Sequence, residues 1–123
     1  MRYSTIVLLT ADKQIIQAAH EVLVAENDCR LITCESEREA FGVLADVDCE
    51  LLICSDDMLE DPSDNLLINS RIKYPSIPRI LIASEVSTKA SPELASRAAA
   101  FMYLIKPIRA TQLEIVVKRA LEI

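Results

Sequence analysis

Glycine is nearly missing from this chain: Gly42 is the only one among 123 residues. A nucleotide or dinucleotide phosphate cradle needs several glycines close together so that backbone amides can wrap a phosphate, and that class is excluded. Histidine is as scarce. His20 stands alone beside four cysteines, Cys29, Cys34, Cys49 and Cys54, none of which forms a C-x-x-C pair. That pattern does not build a zinc site, and no cysteine or serine acquires a triad-like partner from it. An excess of positive charge is also absent. With a formal net charge of −6 and an isoelectric point near 4.8, the chain lacks the clustered cations that grip nucleic acid or an anionic membrane. No apolar run approaches the eighteen or so residues of a membrane span, and the N-terminus lacks the pattern of a secretory signal. The expectation is a cytoplasmic protein that binds neither nucleic acid nor membrane, needs no metal or cofactor, and is not an enzyme.

Hydrophobic residues are abundant, at 51% of the chain. One domain spanning residues 1–123 can bury a core of its own at this size. Apolar runs of strand length alternate with stretches of helical spacing. Thr5 to Leu9 reads as a strand, and Asp12 to Glu26 as a helix with Ile16, Ala19 and Leu23 on one face. Arg30 to Thr33 is a second strand. Ser36 with Glu39 three residues on is a capping box that opens a helix to about Leu44. Leu51 to Cys54 is strand three, followed by a helix from Ser63 to about Lys73. Pro75 and Pro78 then punctuate the turn into strand four, Arg79 to Ile82. Ser91 before Pro92 reads as an N-cap and first helical residue of a helix to about Ala99. Phe101 to Ile105 is strand five. The last helix, about Ala110 to Glu122, carries an apolar stripe of Leu113, Val116, Val117, Ala120 and Leu121. Five strands that are apolar on both faces, alternating with five helices, predict an α/β fold with a parallel sheet covered on each side.

Cys34 and Cys54 end apolar runs, where a reduced cysteine serves as a small buried hydrophobe. A thiol redox sensor is the alternative reading of the four cysteines.

The run Glu50-Leu51-Leu52-Ile53-Cys54-Ser55-Asp56-Asp57-Met58, together with Tyr103-Leu104-Ile105-Lys106-Pro107, resembles the response-regulator receiver family over essentially the whole chain. Arg71, Tyr74 and Pro75 look like the end of that family's third helix. The final helix resembles those of receivers fused to phosphohydrolase-type outputs. The resemblance implies a doubly wound, flavodoxin-like sheet of order 2-1-3-4-5, with its functional crevice at the carboxyl ends of the strands. It also implies a cis bond between Lys106 and Pro107. In the family an acidic pair after strand one and an aspartate ending strand three hold magnesium and accept phosphate. A strand-four hydroxyl, a lysine and a switch aromatic then respond.

At those positions this chain has Thr10, Ala11, Ser55, Ala83, Lys106 and Tyr103, with Asp12 and Asp57 nearby. The resemblance therefore implies a degenerate, atypical pseudo-receiver in two-component signalling that works by protein–protein interaction. Its partner would be another protein, a fused output domain, or a second copy bound through the face of helix four, strand five and helix five. Asp56, a displaced phospho-acceptor, carries the competing reading of a divergent phospho-accepting receiver. Strand alternation turns Asp56 away from the pocket. Lys106 has Asp12, Asp56 and Asp57 within its choice of ion-pair partners.

Overall fold

The computed structural model describes residues 4–61, 63–84 and 92–121. Five parallel strands form one sheet: β1 (Thr5–Leu9), β2 (Arg30–Cys34), β3 (Leu51–Ser55), β4 (Arg79–Ala83) and β5 (Met102–Ile105), in the order β2-β1-β3-β4-β5. The helices are α1 (Lys13–Ala19), α2 (Glu37–Asp46), α3 (Leu66–Lys73), α4 (Pro92–Arg97) and α5 (Ala110–Leu121). A π-helical stretch, His20–Ala25, extends α1, and a short 3₁₀ turn, Asp56–Met58, follows β3.

Period-two alternation along the strands feeds two cores. On one face Ile6, Leu8, Leu51, Ile53, Ile80 and Ile82 pack beneath α1 and α5. On the other Val7, Leu9, Leu52, Cys54 and Leu81 pack against the buried residues of α2, α3 and α4. Each fully buried Leu or Ile contributes on the order of 1.5–3 kcal/mol, so the three central strands, buried at every position, anchor the fold. The register sets Leu9 beside both Cys34 and Cys54, Ser55 beside Ile82, and Ala83 beside Ile105. The carboxyl ends of β1, β3, β4 and β5 thus meet at one edge of the sheet.

Several boundaries differ from the sequence expectation. Ser63 does not open α3. Asn65 does, its side chain accepting the Ile68 N–H at 3.1 Å, while Glu37 Oε1 accepts the Leu66 N–H at 2.8 Å. A carboxylate remote in sequence thereby satisfies one of the unpaired amides of the first turn. On the first helix the buried stripe is Ile15, Ala19, Val22 and Leu23, with Ile16 only half-buried, the three- and four-residue spacing of one helix face counted from Ile15. Helix α4 ends at Arg97, and Ala99 has a left-handed φ of 50°. The expected cap Ser91 and the final residues Glu122 and Ile123 lie outside the described residues.

Candidate functional site

Thr10 is the first residue after β1 and Ser55 the last of β3, and both are buried. The Ser55 hydroxyl donates to Thr10 Oγ1 at 2.8 Å, and the same oxygen accepts the Asp12 N–H at 3.1 Å. Two neutral side chains therefore satisfy each other at the junction of the central strands. Ala11 is exposed and brings no polar group.

Asp12 has two tasks. Its Oδ1 caps α1 by accepting the N–H of Gln14 at 2.9 Å and of Ile15 at 3.4 Å, and its Oδ2 lies 3.1 Å from Lys106 Nζ. Partial burial would raise the Asp12 pKa. The Lys106 ammonium and the two capping amides outweigh it and hold the carboxyl below its ordinary value. Of the three carboxylates open to Lys106, the lysine takes Asp12. A cis peptide bond joins Lys106 to Pro107, and the Lys106 N–H donates to the Ala83 carbonyl at 2.8 Å. Asp12, Gln14, Ile15, Ser84, Lys106 and Pro107 wall a hollow of about 320 Å³ at these strand ends.

Asp56 is not among the residues that wall this hollow. The extended backbone stops at Ser55, and a 3₁₀ turn starts at Asp56. The carboxyl is fully buried, with Oδ1 accepting the Ser84 N–H at 3.3 Å and Oδ2 without a hydrogen-bond partner among the described residues. Sequence periodicity could not reveal this, because the change from strand to turn falls on the residue in question. Asp57 is exposed and lines a separate hollow with Glu35, Glu37 and Glu60. Ala83 is buried, and Tyr103 is half-buried against the α2–α4 side of the sheet.

The residues present do not fit a divalent cation. Hard cations take several oxygen ligands, mostly carboxylates. Here Thr10, Ala11 and Ser55 offer no carboxylate, and Asp12 is committed to Lys106 and the helix cap. Among the described residues no three acidic, histidine or cysteine side chains converge as a metal site would need.

The cysteines are equally withdrawn. All four are free and buried. Burial pushes the Cys34 thiol up to about 11, with Glu39 adding to the shift, and burial likewise raises Cys29, Cys49 and Cys54. That setting suppresses the thiolate a redox sensor reacts through.

No protein-family model matches the sequence, and no curated protein matches it. Solved structures do match. The signal receiver domain of an HD domain-containing protein from Pseudomonas fluorescens Pf-5 superposes with a TM-score of 0.84 at 24% identity, covering 98% of this chain and 96% of that one. A CheY-like response regulator receiver domain protein from Methanospirillum hungatei JF-1 gives 0.84 at 16% identity, over 98% and 95%. The chain has the receiver fold. NtrX from Brucella abortus, solved with ADP, matches at 0.83 and 20% identity over 98% of this chain but only 27% of its own length. The receiver fold thus occurs there within a much longer polypeptide. Superposition on this fold explains why Thr10, Asp12, Ser55, Ala83 and Lys106 converge although they come from four different strand ends.

Proposed function

We propose that this chain is an atypical receiver module in two-component-type signal transduction, cytoplasmic and non-enzymatic, that works through protein contacts without the usual aspartate and magnesium chemistry. The hydroxyl pair Ser55–Thr10 carries the reading. A serine whose oxygen is buried and hydrogen-bonded to a threonine has neither the carboxylate nucleophile nor the general base that phosphoryl transfer requires. The adjacent lysine, paired with Asp12, is already neutralised within the chain. The span of the match to NtrX supports a fused output domain as one arrangement for such a module. No described helix is long and apolar enough to cross a membrane.

One observation favours a second reading. Asp56 directly follows β3 with one oxygen on the Ser84 amide and the other without a partner among the described residues, so a divergent phospho-acceptor at Asp56 is the competitor. Incubation with acetyl phosphate and magnesium, followed by intact mass, separates the two. The proposal expects no mass gain, in the wild type or in Ser55→Asp, which still lacks the other carboxylates. A stoichiometric, base-labile phosphoryl adduct that disappears in Asp56→Asn establishes the competitor instead.

A further inference from the structure

The hollow of about 320 Å³ at the strand ends is walled by two charged side chains of opposite sign, Asp12 and Lys106. Their facing atoms, Oδ2 and Nζ, lie 3.1 Å apart, and both side chains stay partly open to solvent. Neither group is used up by the other. An ammonium has three donors and a carboxylate oxygen two lone pairs, and the contact between them takes one of each. Asp12 Oδ1 is engaged by the Gln14 and Ile15 amides at the start of α1. Oδ2 is therefore the oxygen with capacity left, on a side chain that the helix cap holds in place.

Gln14 and Ser84 also line the hollow, and Ile15 and Ile108 give it an apolar wall. Neither the Gln14 amide nor the Ser84 hydroxyl has a hydrogen-bond partner among the described residues. A few polar groups set against apolar side chains are the make-up of a small-molecule site, and the volume lies at the lower end of the range of about 300–1,000 Å³ for such pockets. Charge then decides the class of ligand. An anion at Lys106 meets the Asp12 carboxylate as a like charge, and a cation at Asp12 meets the Lys106 ammonium in the same way. A ligand carrying both charges escapes either repulsion when its ammonium faces Asp12 and its carboxylate faces Lys106. Because Oδ2 and Nζ are adjacent, the two ligand charges must be adjacent as well, as they are when a single carbon joins them.

We infer that this crevice binds a free, zwitterionic α-amino acid with an apolar side chain. The ligand ammonium donates to Asp12 Oδ2 and the ligand carboxylate accepts from Lys106 Nζ, with Gln14 and Ser84 as further donors. Its side chain lies against Ile15 and Ile108. The occupied site ties the start of α1, through Asp12, to the end of β5, through Lys106, so binding stabilises the folded chain. The inference rests on the reading of this crevice as one without phosphoryl chemistry, and it supplies such a module with a different chemical input.

The probe is L-leucine, titrated into the full chain while backbone amide shifts are followed by NMR. Four analogues separate the parts: N-acetyl-L-leucine lacks the ammonium, L-leucinamide the carboxylate and glycine the apolar side chain, while 4-aminobutyrate holds its two charges further apart. L-leucine should shift the amides of Gln14, Ile15, Ser84 and Lys106 and saturate with a Kd on the order of 1 mM. Each analogue should bind at least about tenfold more weakly. Asp12→Asn, which keeps a side-chain oxygen for the helix cap, should lose at least about tenfold in affinity, as should Lys106→Met. Saturating L-leucine should also raise the urea midpoint of the wild type and leave that of Lys106→Met unmoved. No saturable shift, N-acetyl-L-leucine or L-leucinamide binding as well as L-leucine, inorganic phosphate binding more tightly than L-leucine, or shifts centred on another face overturns the inference. A phosphoryl adduct at Asp56 counts against the underlying reading of the crevice and leaves the L-leucine titration to stand by itself.

Discussion

A cation sits at each end of the sheet, and the two are held in opposite ways. At the amino end Arg79, the first residue of β4, is buried and has no carboxylate partner among the described residues. Its guanidinium donates to four backbone carbonyls, those of Ile77 at 2.8 Å, Ala98 at 2.8 Å, Ala99 at 3.4 Å and Tyr74 at 3.5 Å. At the carboxyl end Lys106 meets Asp12 at 3.1 Å, with side chains 22% and 27% exposed. Arg79 donates to carbonyls where two helices end, and of these only the Tyr74 carbonyl also accepts a described backbone N–H, that of Ile77 at 3.1 Å. Lys106 forms an ion pair that water largely screens. The stiff end is the one away from the crevice, and the end corresponding to the site of chemistry in the receiver fold is closed by weak and replaceable contacts.

Substitution of Arg79 breaks the comparison most severely. Arg79→Met keeps the apolar stem but strands up to three carbonyls, since that of Tyr74 retains the Ile77 N–H, and a stability loss of about 3 kcal/mol is expected in urea unfolding. Arg79→Lys should recover only part of it, since an ammonium has no planar fork with which to span carbonyls of α3 and α4 together. A loss under about 1 kcal/mol for Arg79→Met would mean that solvent takes over those carbonyls and that the two ends are not so different.

The sequence shows one of these two cations and hides the other. The number of strands and helices and the parallel sheet are legible because the strands are apolar on both faces, whereas the strand order and the crevice positions come from the family resemblance that the Lys106-Pro107 motif helps to carry. Arg79 was read only as the first residue of a strand. Its partners are carbonyls, and carbonyls have no signature in side-chain pattern. The same blindness explains α3, whose start depends on Glu37 reaching across from α2. It also explains Asp56, whose hydrogen bond from the Ser84 N–H, across to the end of β4, leaves no mark in the side-chain pattern. Local periodicity carries the elements, and long-range hydrogen bonds decide what happens at their ends.

The hydroxyl pair at the crevice sharpens the contrast at a smaller scale. Ser55→Ala removes one donor while Thr10 Oγ1 keeps the Asp12 N–H, so a loss of about 1 kcal/mol is expected. Thr10→Val removes the acceptor for both, and should cost about 1–2 kcal/mol. Because replacing both partners with apolar groups leaves no hydroxyl stranded, the double variant should cost less than the sum of the single ones. Additive losses in the double-mutant cycle would show that the two hydroxyls act independently and that the crevice is not closed by their pairing.

The Asp12–Lys106 pair should have the smallest effect, and its pH dependence identifies it. Asp12→Asn retains a side-chain oxygen to cap α1 but loses the charge, so the difference from wild type isolates the electrostatic part, about 0.5–1 kcal/mol at neutral pH. The folded-state pKa of Asp12 lies below its ordinary value of 3.8. The native state thus binds the proton less readily than the unfolded chain does. The stabilisation is fully present above the unfolded pKa and fades as pH falls through the lower folded value. Urea midpoints of wild type and Asp12→Asn should therefore differ by a constant amount at neutral and mildly acidic pH and converge below about pH 4. Added salt at neutral pH should narrow the same gap, since both side chains are partly exposed. The contribution of Arg79 should change little under either treatment, because its partners carry no proton to lose and salt does not reach them. A gap at Asp12 that persists under strong acid would instead assign the stabilisation to the helix cap and leave the Lys106 pair with no measurable part in closing the crevice.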